Sequence, residues 1–155
     1  MKDSLKKMLE HNNIFVEHQM YKKYEASKYP DKKIAILSCM DTRLTELLPA
    51  ALGLKNGDVK LIKNAGAQIM HPYDSTMFSL IVAIYELGVD TVMVIGHDEC
   101  GGEHLNGKQM IEKMIAHDIS KQTIEKINQT QKNIEQWLTG FCDVEKSVHS
   151  TVQTI

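Results

Sequence analysis

The chain has 155 residues, 43% apolar and 25% charged, and a formal net charge of -2. Such a length supports one domain with a real core, and such a charge gives no electrostatic reason to expect nucleic acid or an anionic membrane as partner. The apolar run over 77–84 is too short to span a bilayer, and the polar start MKDSLKKMLEHN lacks the apolar centre of an export signal, so the expected location is the cytoplasm.

In chain order, Leu5, Met8, Leu9, Phe15, Val16 and Met20 have helical spacing. They predict a helix over 3–24, broken near Asn12 and Asn13, lying against the body or a partner subunit. Tyr29-Pro30-Asp31 reads as a turn. A first strand is expected over 33–39, then a helix over 44–54 that Pro49 kinks or interrupts. Gly57-Asp58 turns the chain into a second strand over 59–63, and the small residues 64–67 form a loop that lets backbone approach closely. Asp74-Ser75 caps a helix that runs to Leu87 and stops at Gly88. That helix is apolar nearly all round, so it is expected to be buried, with a subunit interface as one possible cover. A third strand over 91–95 follows a crossover and should run parallel to its neighbours.

Beyond Gly102 the pattern is helical: 108–116, 121–138 and 143–155. The last helix carries Val144, Val148, Val152 and Ile155 as a stripe that must bury against something. Trp137 reads as a helix-packing anchor and the methionines as core filler. The expected fold class is α/β, a mostly parallel central sheet flanked by helices. One domain spans 1–155, with a helical arm over 1–30, an α/β core over 31–102 and a helical part over 103–155.

The chemistry gathers at two strand ends. IAILSCMDTR is an apolar run ending in Cys39, Asp41 and Arg43, at alternate positions that share one side if the chain stays extended. TVMVIGHDECGG repeats the design with His97 and Cys100. Cys39, His97 and Cys100 are a zinc-type ligand set, with the fourth position left for water. Cys142, the remaining cysteine, lies far from any chelating His. Two other readings stand: a closed site with Asp41 as fourth ligand, and two buried thiols with no metal.

Of 18 basic residues, Arg43 is the only arginine. A guanidinium offers a rigid fork that holds a carboxylate in one orientation. With two thiolates neutralising the metal, Asp41 is expected to accept a hydrogen bond from zinc-bound water while Arg43 keeps it ionised and aimed. A phosphate-cradling loop is disfavoured, because the Cys–Arg spacing is short and an acidic residue lies between. His104 is weighed as a proton shuttle and His71 and Tyr73 as pocket-mouth residues, a plain loop setting being expected for each. His11, His18, His117 and His149 read as surface residues.

CMDTR, the NAGA loop over 64–67 and GHDECGG resemble the β-class carbonic anhydrases in their short bacterial form. The resemblance implies zinc on Cys39, His97 and Cys100, with Asp41 and Arg43 as the catalytic dyad. It implies reversible hydration of carbon dioxide to bicarbonate by zinc-bound hydroxide. It sets Gly101 and Gly102 beside the substrate, and Gly66 is added to that group. It also implies a homodimer or larger assembly. Lys63 stands where that family commonly has Arg, and the strand that usually follows the final helix is expected to be missing. Alternative functions are hydrolysis of carbonyl sulfide or carbon disulfide on the same fold, or a non-catalytic zinc-binding or interaction protein.

Overall fold

The fold is built around β1 (Ile34–Cys39), whose residues are apolar or small and of which all but the first are buried. A strand covered on both faces is expected to read as a continuous apolar run. Among the described residues it is the middle of three parallel strands in the order β2-β1-β3, with β2 spanning Val59–Asn64 and β3 spanning Thr91–Ile95. The computed structural model describes residues 2–131 and 133–155.

Helix α2 (Leu44–Ala51) and helix α3 (Ser75–Tyr85) cover the sheet. Ala35 and Leu37 pack with Leu80 and Ala83 of α3, and Ile36 packs with Leu44 and Leu48 of α2. Leu37 is fully buried, which alone is worth roughly 1.5–3 kcal/mol of apolar transfer. Asp74 caps α3 as expected, its carboxylate accepting the Met77 N–H at 2.8 Å. Gly88 stops the segment at φ 72°, and Val89 N–H reaches back to the Ala83 carbonyl at 3.0 Å.

Registration puts the strands' carboxyl ends level: Cys39 pairs with Asn64, and Ser38 with Ile95. Residues 40–43, 65–67 and 96–102 therefore emerge together at one edge of the sheet. In open parallel sheets this edge is where ligands bind.

Several expectations are corrected. The N-terminal helix α1 (Asp3–Glu17) runs unbroken through Asn12 and Asn13. Asn in a helix interior costs only a fraction of a kcal/mol. The break falls at Gln19, in the left-handed region at φ 52°, before a short 3-10 turn over Met20–Tyr24. No residue of α1 is buried. Pro49 lies within α2, which ends two residues later. Helix α3 is not buried all round: Phe78 is 68% and Tyr85 80% exposed.

Among the described residues four helices follow β3: α4 (Gly107–Ala116), α5 (Lys121–Gln131), α6 (Ile134–Leu138) and α7 (Val144–Thr154). The single helix expected over 121–138 is thus two helices, with Lys132 outside the described residues. Asn133 restarts the chain at φ 131° and caps α6 through its side chain. Ile134, not Trp137, is the buried residue of α6. Met8, Met40 and Met70 are exposed and fill no core. Only half of the α7 stripe packs: Val144 and Val148 crowd Gly96, while Val152 and Ile155 are exposed. The buried positions of α7 are Ser147 and Thr151. Among the described residues no helix is long and apolar enough to cross a membrane.

Candidate metal centre

Cys39 is the last residue of β1; Met40 N–H still reaches the Asn64 carbonyl at 2.8 Å, and the turn comes at 42–43. The extended geometry assumed for Cys39, Asp41 and Arg43 does not hold, because Arg43 is already in helical conformation at φ -63°, ψ -28°. What joins Asp41 to Arg43 is a local turn, in which Asp41 Oδ1 accepts the Arg43 backbone N–H at 2.8 Å. The guanidinium then folds back on the same carboxylate. Its Nε donates to Oδ1 and its Nη2 to Oδ2, each at 3.0 Å. This fork is the bidentate geometry that a lysine could not supply. It holds the Asp41 carboxyl down at about 2, with the backbone N–H of Arg43 adding to the effect. In return, Asp41 raises the Arg43 guanidinium above its ordinary range.

Arg43 also reaches the second limb. Its Nη2 donates to the Glu99 carbonyl at 2.9 Å, and its Nη1 lies 3.4 Å from the Glu99 carboxylate. Glu99 sits at φ 52°, in the left-handed region unusual for a side-chain-bearing residue. The only arginine therefore ties the strand end carrying Cys39 to the loop carrying His97 and Cys100.

The ligand atoms of Cys39, His97 and Cys100 all lie within 4.8 Å of one another. The two sulfurs are 3.6 Å apart and both cysteines are free and buried. His97 Nδ1 contacts the Asp98 carbonyl at 2.9 Å, which orients the ring with Nε2 toward the two thiols. Among the described residues Nε2 is the buried side-chain polar atom with no hydrogen-bond partner. A buried polar atom without a partner is costly, and a cation beside two thiols would satisfy it. The donor set thus fits a zinc-type ion on softness, number and spacing. Asp41 is not part of this group, although its Oδ2 lies 3.9 Å from His97 Nε2.

The two thiols are set differently. Burial works against the Cys39 thiolate, but the His97 ring and the backbone N–H groups of Gly66 and Asp41 outweigh it and lower its pKa. Burial raises Cys100, and the Cys39 sulfur adds to that, against a hydrogen bond from Gly102 N–H at 3.4 Å.

A mainly apolar cavity of about 280 Å³ opens beside Cys39 and Asp41. Gly66, Gly101 and Gly102, all singled out from sequence, line it with Met40, Ala65 and Leu105. Gly66 stands at φ 79° within the turn Ala65–Ala67. Asn64 staples that turn: its amide donates to the Gln68 carbonyl at 2.6 Å and to Thr76 Oγ1 at 2.9 Å, and its Oδ1 accepts Gln68 N–H. Lys63 instead reaches the Leu44 carbonyl at 3.4 Å. His104 is exposed and lies 3.7 Å from Glu103, and His71 and Tyr73 are exposed.

Sequence reasoning missed the staple, the carbonyls of Asp98 and Glu99, and the backbone donors to sulfur. Asn64 was findable, since an Asn at a strand end before small residues is an Asx-turn former. The carbonyls carry no sequence signature, because every residue has one.

Comparison with known proteins bears on these residues. A sequence model described as carbonic anhydrase matches residues 34–155. The chain is 51% identical over 151 residues to the Bacillus subtilis protein named "Putative carbonic anhydrase YtiB", covering 97% of this chain and 81% of that one. Among solved structures, the beta-carbonic anhydrase isoform I of Trichomonas vaginalis superposes with a TM-score of 0.82 at 30% identity, over 99% of this chain and 82% of that one. The apo form of a carbon disulfide hydrolase has a TM-score of 0.65 at 16% identity, over 96% of this chain and 76% of that one, which is a likeness of fold alone.

Proposed function

Since the chain belongs to the β-class carbonic anhydrase family, we propose that it catalyses the reversible hydration of carbon dioxide to bicarbonate and a proton. Cys39, His97 and Cys100 would hold a zinc ion, which when bound acidifies water and so supplies the nucleophile near neutral pH. The observation that carries this reading is the Asp41–Arg43 fork beside a ligand trio whose His97 Nε2 has no other partner.

The chain's own residues have distinct tasks in this proposal. Met40, Ala65 and Leu105 give carbon dioxide an apolar niche, with the backbone of Gly66, Gly101 and Gly102 beside it. Asp41 accepts a hydrogen bond from the attacking water and thereby aims a lone pair at the carbon. A carboxyl held at about 2 stays ionised at every pH where the enzyme would work, so it accepts and never competes as a donor. Arg43 keeps both carboxylate oxygens engaged, which favours an Asp41 that stays off the metal over one locked onto it. That geometry counts against the non-catalytic reading. Hydrolysis of carbonyl sulfide or carbon disulfide is supported only by the shared fold and is not preferred.

We place the protein in the cytoplasm as a homodimer or larger assembly. The exposed face of α3, with Phe78, Ile81 and Tyr85, and the apolar stripe of α1 are what such an assembly would cover.

The test is stopped-flow carbon dioxide hydration on metal-quantified protein at about neutral pH and one to two units higher, beside Asp41→Ala. Activity that rises with pH, and that falls by about 10–100-fold in Asp41→Ala with metal content unchanged, is expected. Stoichiometric metal without hydration at either pH would reject the proposal.

A further inference from the structure

Phe141 lies between α6 and α7, remote in sequence from both limbs of the site, yet its ring reaches the glycine wall of the cavity. The ring's Cε1 is 2.9 Å from where a Cβ on Gly66 would stand and 3.3 Å from where one on Gly102 would stand. A Cβ on Gly102 would also lie 3.4 Å from Gly66 Cα. The two glycines thus back onto each other, and the edge of Phe141 closes the third side. At φ 79° Gly66 is in the region other residues rarely adopt, so no side chain can take over the ring's place from there.

One of these glycines also touches a thiol: Gly102 donates its N–H to Cys100 Sγ at 3.4 Å. The ring therefore packs against the residue that orients a hydrogen bond to that sulfur, and against the glycine behind it. On its other side Phe141 lines a second cavity of about 540 Å³, with Gln68, Ser147 and Thr151. Gln68, which lines that space, shares the bracing of Gly66, its Oε1 3.3 Å and its Cγ 3.4 Å from the same Cβ position, whereas at Gly102 no Gln68 atom stands beside the ring. Phe141 is itself fixed by its backbone: its carbonyl accepts His104 N–H at 2.7 Å, and the preceding Gly140 N–H donates to the Leu105 carbonyl at 3.0 Å.

We propose that Phe141 is a positioning residue acting through Gly66 and Gly102: its ring braces their backbone, fixing the width of the site cavity and aiming the Gly102 N–H at the Cys100 sulfur. The inference rests on the reading that Cys39, His97 and Cys100 hold a metal. It makes the size selectivity of the cavity depend on a residue that touches neither substrate nor metal.

The experiment uses the whole 155-residue chain loaded with cobalt(II). Binding of formate, acetate and benzoate is followed by visible absorbance, together with the thiolate-to-cobalt absorption band and the cobalt affinity. In wild type the cavity should strongly favour formate over benzoate. Phe141→Ala should narrow that preference by about tenfold, shift the band, and weaken cobalt binding by about 10-fold or more. Phe141→Leu should lie between the two. Either the narrowed preference or the shifted band supports the proposal, because loss of general stability would move neither in folded protein. A folded Phe141→Ala protein with wild-type preference and band overturns it. If alanine does not fold, the same result in Phe141→Leu overturns it. Wild type that takes up no cobalt, or takes it up equally after His97→Ala, would sink the metal-site reading and this inference with it.

Discussion

Helix α1 and strand β1 both carry regular apolar patterns, yet all of β1 but its first residue is buried and no residue of α1 is. The strand is enclosed by α2, α3 and its two parallel partners, so its apolar residues are satisfied within one chain. The helix shows Leu5, Met8, Leu9, Ile14 and Val16 to solvent. The difference teaches where function can be built. Cys39 sits at the end of the enclosed strand, and His97 and Cys100 lie in the loop after its edge neighbour β3, which Arg43 ties back to the β1 end. A helix that buries nothing can contribute only through a surface it has yet to meet.

The contrast can be broken or sharpened by substitution. His97→Ala should have the largest effect, lowering metal affinity by at least about 100-fold, as measured by competition with a chelator. Retention of the metal would show that the strand ends are not the binding centre. Next, Leu37→Ala should cost about 2–5 kcal/mol in urea denaturation of metal-free protein, since it empties a fully buried position in the middle of the sheet. Arg43→Lys should keep the fold and much of the metal while cutting carbon dioxide hydration by about 10–100-fold.

The same variant makes a pH prediction in metal-free protein. Asp41 is held at about 2, below its unfolded value of about 3.9. The unfolded chain therefore binds the proton first, and the contribution of the Asp41–Arg43 pair to stability is complete above about pH 4 and lost as pH falls toward 2. A carboxyl titration by NMR should show that midpoint move up in Arg43→Lys. The smallest effect is expected from Leu9→Ala in α1, within about 0.5 kcal/mol in protein diluted to monomers. A cost like that of Leu37→Ala would mean the arm is packed after all, and the contrast would fail.

The same difference explains what could be read in advance. The meeting of Cys39, His97 and Cys100 was legible because apolar runs ending in Cys, Asp, Arg and in His, Cys imply strands that stop at a common place. The Asp74 cap and the Gly88 stop were legible from local chemistry. The geometry between Asp41 and Arg43 was not, since it comes from a turn that leaves the strand rather than from strand alternation. The exposure of Phe78 and Tyr85 was hidden as well, because periodicity reports that a face is apolar and not whether the same chain covers it. Phe141 left no mark at all. Its importance depends on two glycines that only the tertiary structure brings beneath its ring.

The order of the strands has a consequence for how the protein is made. β1 is the middle strand, but it leaves the ribosome before either neighbour exists. Cys39 precedes its partner thiol by 61 residues. At synthesis rates of about 5–20 residues per second, that is an interval of roughly 3–12 s during which the first ligand has no site to belong to. A metal held by all three residues could not be captured until the last of these strands is out, so loading would be one of the final events of biogenesis. Throughout that interval Cys39 is a bare thiol on an apolar nascent segment, open to oxidation and to pairing with other chains. The yield of active protein should therefore depend on the redox state and metal supply of the cell during translation more than on conditions after it.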